Sequence, residues 1–200
     1  MKRKIGIFGG TFNPPHIGHV SAAEAFITGM KLDELMIIPD YIPPHKEYSG
    51  NVTPEQRLEM AKIAFGHIER TTISDIEISR GGKSYTADTL SMLASSDTEL
   101  YFLCGTDMFL TMEQWRSPEI IFSLAKICCI RREYDQDTER ILCECADRYK
   151  TQYNADVFFV DSEVVEISSS ELREELKIKG YSECISAPVM RYISEKGLYV

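Results

Sequence analysis

The sequence predicts an α/β protein, a Rossmann-like parallel sheet with helices on both faces and a small C-terminal helical segment. Two observations carry that expectation. Short apolar runs alternate along the whole chain with stretches of helical period. Several of those runs stop abruptly at glycine or proline, as at Gly9-Gly10, Pro39 and Gly105. Alternation of strand and helix, rather than their segregation, is the pattern of a parallel sheet covered on both sides.

Each element follows from its own residues. Lys4 to Phe8 reads as a buried strand broken by Gly9-Gly10, and Gly18 to Thr28 as a helix with Val20, Ala23 and Ile27 on one face and Gly29 as its stop. Glu34 to Ile38 is the next strand, closed by Pro39-Asp40, and a Pro- and His-containing loop runs to Val52. Thr53-Pro54-Glu55-Gln56 starts a helix with a cap, a first-turn proline and a capping box; Leu58, Ala61 and Phe65 keep helical spacing, and Gly66 ends it. Thr71 to Ile78 reads as a strand, and Ser84 or Thr86 opens a helix to about Leu93. Strands follow over Glu99 to Cys104 and Ala125 to Ile130, a helix over Thr138 to Tyr153, and a strand over Asp156 to Val160. Short helices begin near Ser169 and Pro188.

Length and composition narrow the function. The 200 residues fit a single domain over 1–200, and a hydrophobic share of 44% suits a packed core. The longest apolar runs, such as Leu35 to Ile38, are too short to cross a membrane, and Met1-Lys2-Arg3-Lys4 leads into no secretory signal. A cytoplasmic location is the expectation, with no membrane partner. The net charge of -9 argues against nucleic acid, whose binding rests on many basic contacts to phosphate. Small phosphorylated ligands stay open, since a few local donors offset a global field. The six cysteines show no C-x-x-C spacing and no zinc pattern, so buried small hydrophobes are the simpler reading for Cys104 and Cys128. Cys143-Glu144-Cys145 lies in a polar helical stretch and is the pair to watch for redox chemistry. The oligomeric state is open, a homo-oligomer included.

In parallel α/β sheets ligands bind outside the carboxyl ends of the strands. The first such end reads Gly9-Gly10-Thr11-Phe12-Asn13-Pro14-Pro15-His16-Ile17-Gly18-His19. Two glycines let backbone approach a ligand, and the next helix points its N–H groups and positive dipole end at the same spot, a natural phosphate site. His16 and His19, two of only four histidines, lie three apart there and can face one pocket. A Gly-rich turn with incidental histidines is the plainer alternative. The segment is neither a Walker loop nor a dinucleotide fingerprint.

Gly9 to His19 resembles the signature of the H-x-G-H nucleotidylyltransferase superfamily, in the wording of the bacterial nicotinate mononucleotide adenylyltransferases. Ile167-Ser168-Ser169-Ser170-Glu171-Leu172-Arg173 resembles that family's second motif, with Ser170 for Thr and Leu172 for Ile. The ending Tyr192-Ile193 and Gly197-Leu198-Tyr199 is similar too. The resemblance implies adenylyl transfer from ATP to nicotinate mononucleotide, giving nicotinate adenine dinucleotide and pyrophosphate, with Mg²⁺ arriving on ATP and no dedicated metal site. It implies catalytic roles for His16, His19 and Arg173. ATP contacts would come from Gly9, Gly10, Thr11, Phe12, the two histidines, Gly105, Asp107, Ser168, Ser169, Ser170 and Arg173. The serines and Glu171 would serve as an ordinary helix cap in any case.

For the mononucleotide, the Pro43-Pro44-His45-Lys46 loop offers His45 and Lys46 to phosphate, with Arg57 as a helper. In the Ser84-Tyr85-Thr86 loop, Thr86 and nearby backbone N–H groups would receive the nicotinate carboxylate, and Trp115, the single tryptophan, would stack on the pyridine. Thr106 departs from the family's Ala. Three rivals stand beside this reading: a phosphopantetheine adenylyltransferase, a nucleotide sensor without turnover, and a redox dinucleotide binder.

Overall fold

The computed structural model describes residues 2–44, 51–131, 136–162 and 168–200. Its strands are β1 (Arg3–Gly10), β2 (Glu34–Pro39), β3 (Thr71–Ile73), β4 (Thr98–Gly105), β5 (Ala125–Arg131) and β6 (Val157–Asp161). Its helices are α1 (Ile17–Met30), α2 (Pro54–Phe65), α3 (Ile76–Arg80), α4 (Thr86–Leu93), α5 (Thr106–Leu110), α6 (Pro118–Leu124), α7 (Gln136–Tyr153), α8 (Ser169–Lys179) and α9 (Ala187–Lys196).

The strands form one six-stranded sheet in the order β3-β2-β1-β4-β5-β6, with every pairing parallel. The chain winds outward one way from β1 through β2 and β3, then returns to β1's other side with β4. That reversal between β1 and β4 is the crevice where open α/β sheets bind ligands. Gly9 and Gly10 end β1 there, in register with Ile38 and Pro39 of β2, and Gly105 ends β4 opposite Ile130 of β5.

Alternation along the strands divides the core in two. Ile5, Ile7, Leu100, Phe102, Ile127 and Cys129 face the layer built from α4, α5, α6 and α7. Phe8, Leu35, Ile37, Tyr101, Leu103 and Cys128 face α1, α2, α8 and α9. The C-terminal helical segment therefore closes one face of the sheet instead of forming a separate body.

Four local expectations need correction. Thr71 to Ile78 is a strand only as far as Ile73; Ser74 then accepts the Ile76 N–H on its hydroxyl at 3.3 Å and α3 begins. The serine's competition for backbone donors outweighs the β-branched run. Helix α1 continues through Gly29, and Lys31 supplies the left-handed cap at φ 53°. Its most buried face is Ala22, Ala23 and Phe26, rotated from the expected Val20, Ala23 and Ile27. The Gly105 to Trp115 segment, read only as a ligand-binding connection, holds α5 and a 3₁₀ turn at Met112–Gln114. By contrast α2 starts as its residues dictate, with Gln56 N–H on Thr53 Oγ1 at 3.3 Å and Thr53 N–H on Gln56 Oε1 at 2.8 Å.

Candidate active site

A cavity of about 370 Å³ opens at the switch point, a size suited to a small ligand. Gly9, Gly10, Thr11 and His19 form one wall. Gly105 and Met108 stand at the end of β4, and Ser84, Thr86 and Trp115 close the far side. The fold thus gathers residues from four separated segments of the chain.

The β1 turn is built around Phe12. Its backbone takes φ 47°, and its ring is buried edge-on to Phe8 at 5.4 Å, Phe65 at 5.4 Å and His19 at 5.2 Å. A Cβ on Gly10 would meet that ring at 3.1 Å, so the glycine lets ring and strand pack together. The Phe12 ring lies in the core and does not line the cavity. His16 is buried beside His19, with ring centroids 3.8 Å apart. The His16 amide donates to His19 Nδ1 at 3.2 Å, which assigns the neutral ring's proton to Nε2. His19 lines the cavity; His16 supports it from behind.

Arg173 joins the two sequence signatures. Its guanidinium donates to Asn13 O at 2.9 Å, Ser169 O at 3.1 Å and Ser170 Oγ at 3.0 Å. Ser169 Oγ reaches Pro14 O at 3.4 Å. Ser168 caps α8: Glu171 N–H donates to its hydroxyl at 3.2 Å, and Glu171 Oε2 accepts its amide at 2.8 Å. The Ser168 hydroxyl, donating to Glu171 Oε2 at 2.8 Å, and then the Ser168 amide hold the Glu171 carboxyl below its ordinary range. Asn13 is held from a third side, since the Tyr199 hydroxyl donates to its Oδ1 at 2.6 Å. Ser168, Ser169, Ser170 and Arg173 sit beside the β1 turn without lining the cavity itself, and Asp107 is exposed in the first turn of α5.

At the far side, the Tyr41 amide donates to Ser84 Oγ at 2.9 Å and the Ser84 amide to Ile42 O at 2.9 Å. Trp115 is nearly buried, edge-on to Phe102 at 6.1 Å, and still borders the cavity. Tyr85 turns away from it, its ring under the Arg116 guanidinium at 4.5 Å. His45 and Lys46 lie outside the described residues.

Arg57 is not placed as a substrate ligand. It is fully buried and donates to Asp40 Oδ1 at 2.9 Å, Thr11 O at 2.8 Å, Asp40 O at 2.7 Å and Tyr41 O at 3.1 Å. Asp40 also accepts the Thr11 hydroxyl at 2.7 Å. This cluster pins the ends of β1 and β2 together under the cavity floor. Sequence reasoning missed Asp40 as a site residue, and Glu77 and Thr89 altogether, although all three line the cavity. Among the described residues no group of three or more His, Cys, Asp or Glu side chains could hold a metal ion. No described helix is long and apolar enough to cross a membrane.

Comparison with known proteins supplies the family. A family model described as cytidylyltransferase-like matches residues 7–175. A protein of Shouchella clausii named "Probable nicotinate-nucleotide adenylyltransferase" is 39% identical, covering 100% of this chain and 97% of the relative. One of the same name from Lachnoclostridium phytofermentans is 36% identical, covering 99% and 100%. The chain belongs to the nicotinate-nucleotide adenylyltransferase family. At the level of fold alone, it is similar to the Plasmodium falciparum nicotinic acid mononucleotide adenylyltransferase complexed with NaAD, with a TM-score of 0.75 at 19% identity over 98% and 97% of the two chains. The family model's match runs from β1 into α8 and so takes in the strand ends that border the crevice between β1 and β4.

Proposed function

We propose that this chain transfers the adenylyl group of ATP to the phosphate of nicotinate mononucleotide, forming nicotinate adenine dinucleotide and pyrophosphate in NAD biosynthesis. The observation that carries the reading is the convergence, on one cavity, of the β1 turn with His19, the end of β4, and the Ser84–Thr86 turn facing Trp115. Whole-length relatives bear the name of this activity.

The reaction breaks one bond and makes one. A phosphate oxygen of the mononucleotide attacks the α-phosphorus of ATP in line. The bond from that phosphorus to the bridging oxygen of the β-phosphate breaks, and pyrophosphate leaves with the electron pair. The nucleophile is already an anion near neutral pH, so the protein supplies position and charge stabilisation instead of a base. His19, with its proton on Nε2, donates to the triphosphate, and His16 fixes its ring. Arg173, the Ser169 and Ser170 hydroxyls and the N-terminus of α8 receive the departing pyrophosphate. Gly105 and Asp107 border the adenosine, and His45 and Lys46 supply charge to the mononucleotide phosphate. Mg²⁺ would arrive with the ATP substrate and would offset charge on its phosphates.

Trp115 and the first N–H groups of α4 suit the flat, negatively charged nicotinate ring. The test uses ATP labelled in its α-phosphate, with Mg²⁺ and nicotinate mononucleotide. The label is expected in the dinucleotide and absent from pyrophosphate. Label retained in ATP or released as free AMP overturns the proposal.

A further inference from the structure

Behind the Ser84–Thr86 turn lies a buried polar group that the reaction does not use. Glu77, on α3, is 7% exposed and Thr89, one turn into α4, is 2% exposed. The Thr89 hydroxyl donates to Glu77 Oε1 at 2.5 Å and accepts from Arg80 at 3.0 Å. The threonine is thus a relay between a buried acid and a cation on the same short helix. Ser84, whose hydroxyl also favours the charged Glu77 carboxyl, takes the Tyr41 amide on its oxygen at 2.9 Å. Gly81 and Gly82, at φ 70° and 74°, reverse the chain between these partners, and a side chain at either position would point into open space.

We propose that Glu77 is a positioning residue for the mononucleotide: through Thr89 it fixes α4 and the turn before it, and thereby sets affinity for the pyridine end of the substrate. The proposal rests on the nicotinate reading of the cavity. Two glycines in left-handed conformation leave the turn without side-chain packing, so its position depends on hydrogen bonds at its two ends. One end is tied to the Tyr41–Ile42 segment through Ser84. The other is tied to α3 through Thr89. Thr86, the first residue of α4, lines the cavity, so a fixed α4 fixes where its N-terminus meets it.

Charge bears on the same point. Burial pushes the Glu77 carboxyl up and the Asp40 charge adds to this, while the Thr89 and Ser84 hydrogen bonds and Arg80 oppose it. Arg80, bonded to the same Thr89 hydroxyl, places a positive charge near the acid on the wall that Glu77 and Thr89 line. Nothing in this group lies at the triphosphate end, so its loss is selective.

The test compares wild type with Thr89→Val, Thr89→Ser and Glu77→Gln, all as the full chain, reading KM for each substrate, kcat and thermal midpoint. Thr89→Val removes the relay at constant shape. It is expected to raise KM for nicotinate mononucleotide about tenfold, equivalent to about 1.4 kcal/mol, with KM for ATP moving less than about twofold. Thr89→Ser restores the hydroxyl and returns KM to near wild type, while Glu77→Gln moves it in the Val direction. If Thr89→Val does not fold, the Gln and Ser variants carry the comparison. Equal rises in both KM values, or no rise in folded Glu77→Gln, overturn the proposal. Wild type silent with nicotinate mononucleotide overturns the functional reading instead.

Discussion

Replacing Arg57 with Met separates a structural cation from a substrate ligand. The Arg57 side chain is 0% exposed and that of Asp40 only 10%. Methionine keeps the length and apolar stem but deletes four hydrogen bonds, to Asp40 Oδ1 and to the carbonyls of Thr11, Asp40 and Tyr41. Hydrogen bonds to charged groups contribute roughly 1.5–3 kcal/mol each, and a plain sum would overshoot. Thr11 and Tyr41 are half-buried, and water can replace the guanidinium at their carbonyls. The Asp40 carboxylate cannot escape in the same way, and stranding one partner of a buried pair costs roughly 3–5 kcal/mol. That range is the expected loss of unfolding free energy, read as a lower urea midpoint at unchanged slope. Asp40→Asn in the same background should then cost much less than in wild type, because the two changes share one interaction. A loss below about 1 kcal/mol, with KM for the mononucleotide raised, would refute the reasoning and return Arg57 to the substrate.

Four further outcomes follow from the same geometry. His19→Ala should lower kcat by roughly 10²–10³, as for one transition-state donor, while the chain stays folded; near-normal turnover removes His19 from the mechanism. Trp115→Ala should raise KM for nicotinate mononucleotide more than KM for ATP, and equal losses would leave Trp115 a core residue only. Thr53→Ala deletes the α2 cap, a residue that does not line the cavity, and should cost about 1 kcal/mol of stability without changing kcat; a change in kcat would tie α2's start to the site. Glu77 gives a pH signature. Its folded carboxyl is raised above the unfolded one, so wild type loses stability as pH rises from about 4.5 through the folded value. Glu77→Gln lacks that loss, so its melting temperature relative to wild type should climb over the same interval; a flat or falling difference contradicts the burial argument.

The legible parts of the fold were those that local chemistry decides. The capping box of Thr53 and Gln56 formed as its residues require, and the glycines that end β1 and β4 mark the crevice. Local chemistry also misled where two signals competed. Thr71 to Ile78 is β-branched enough for a strand, yet Ser74 takes an amide and starts α3. The gathering of His19, Ser84, Thr86, Gly105 and Trp115 around one cavity followed from the rule for carboxyl ends of parallel strands. Arg57 could not be read correctly, because a lone arginine on a helix is usually exposed and its burial depends on Asp40 and on carbonyls up to 46 residues away. Tyr199 is 186 residues from Asn13, so no periodicity could pair them. Glu77 was hidden by the misread strand, which would have placed it on an alternating face. The cysteines came out mixed. Cys145 is buried and Cys143 exposed, while burial pushes the Cys128 and Cys129 thiols up to about 12.

The most direct test of the central claim is pyrophosphate release from MgATP with nicotinate mononucleotide, nicotinamide mononucleotide or phosphopantetheine supplied separately. The account predicts fast release with nicotinate mononucleotide and much slower release with the other two. Release with phosphopantetheine alone would keep the chemistry and discard the substrate. Tight ATP binding with no release from any acceptor would contradict the account and make the cavity a nucleotide sensor.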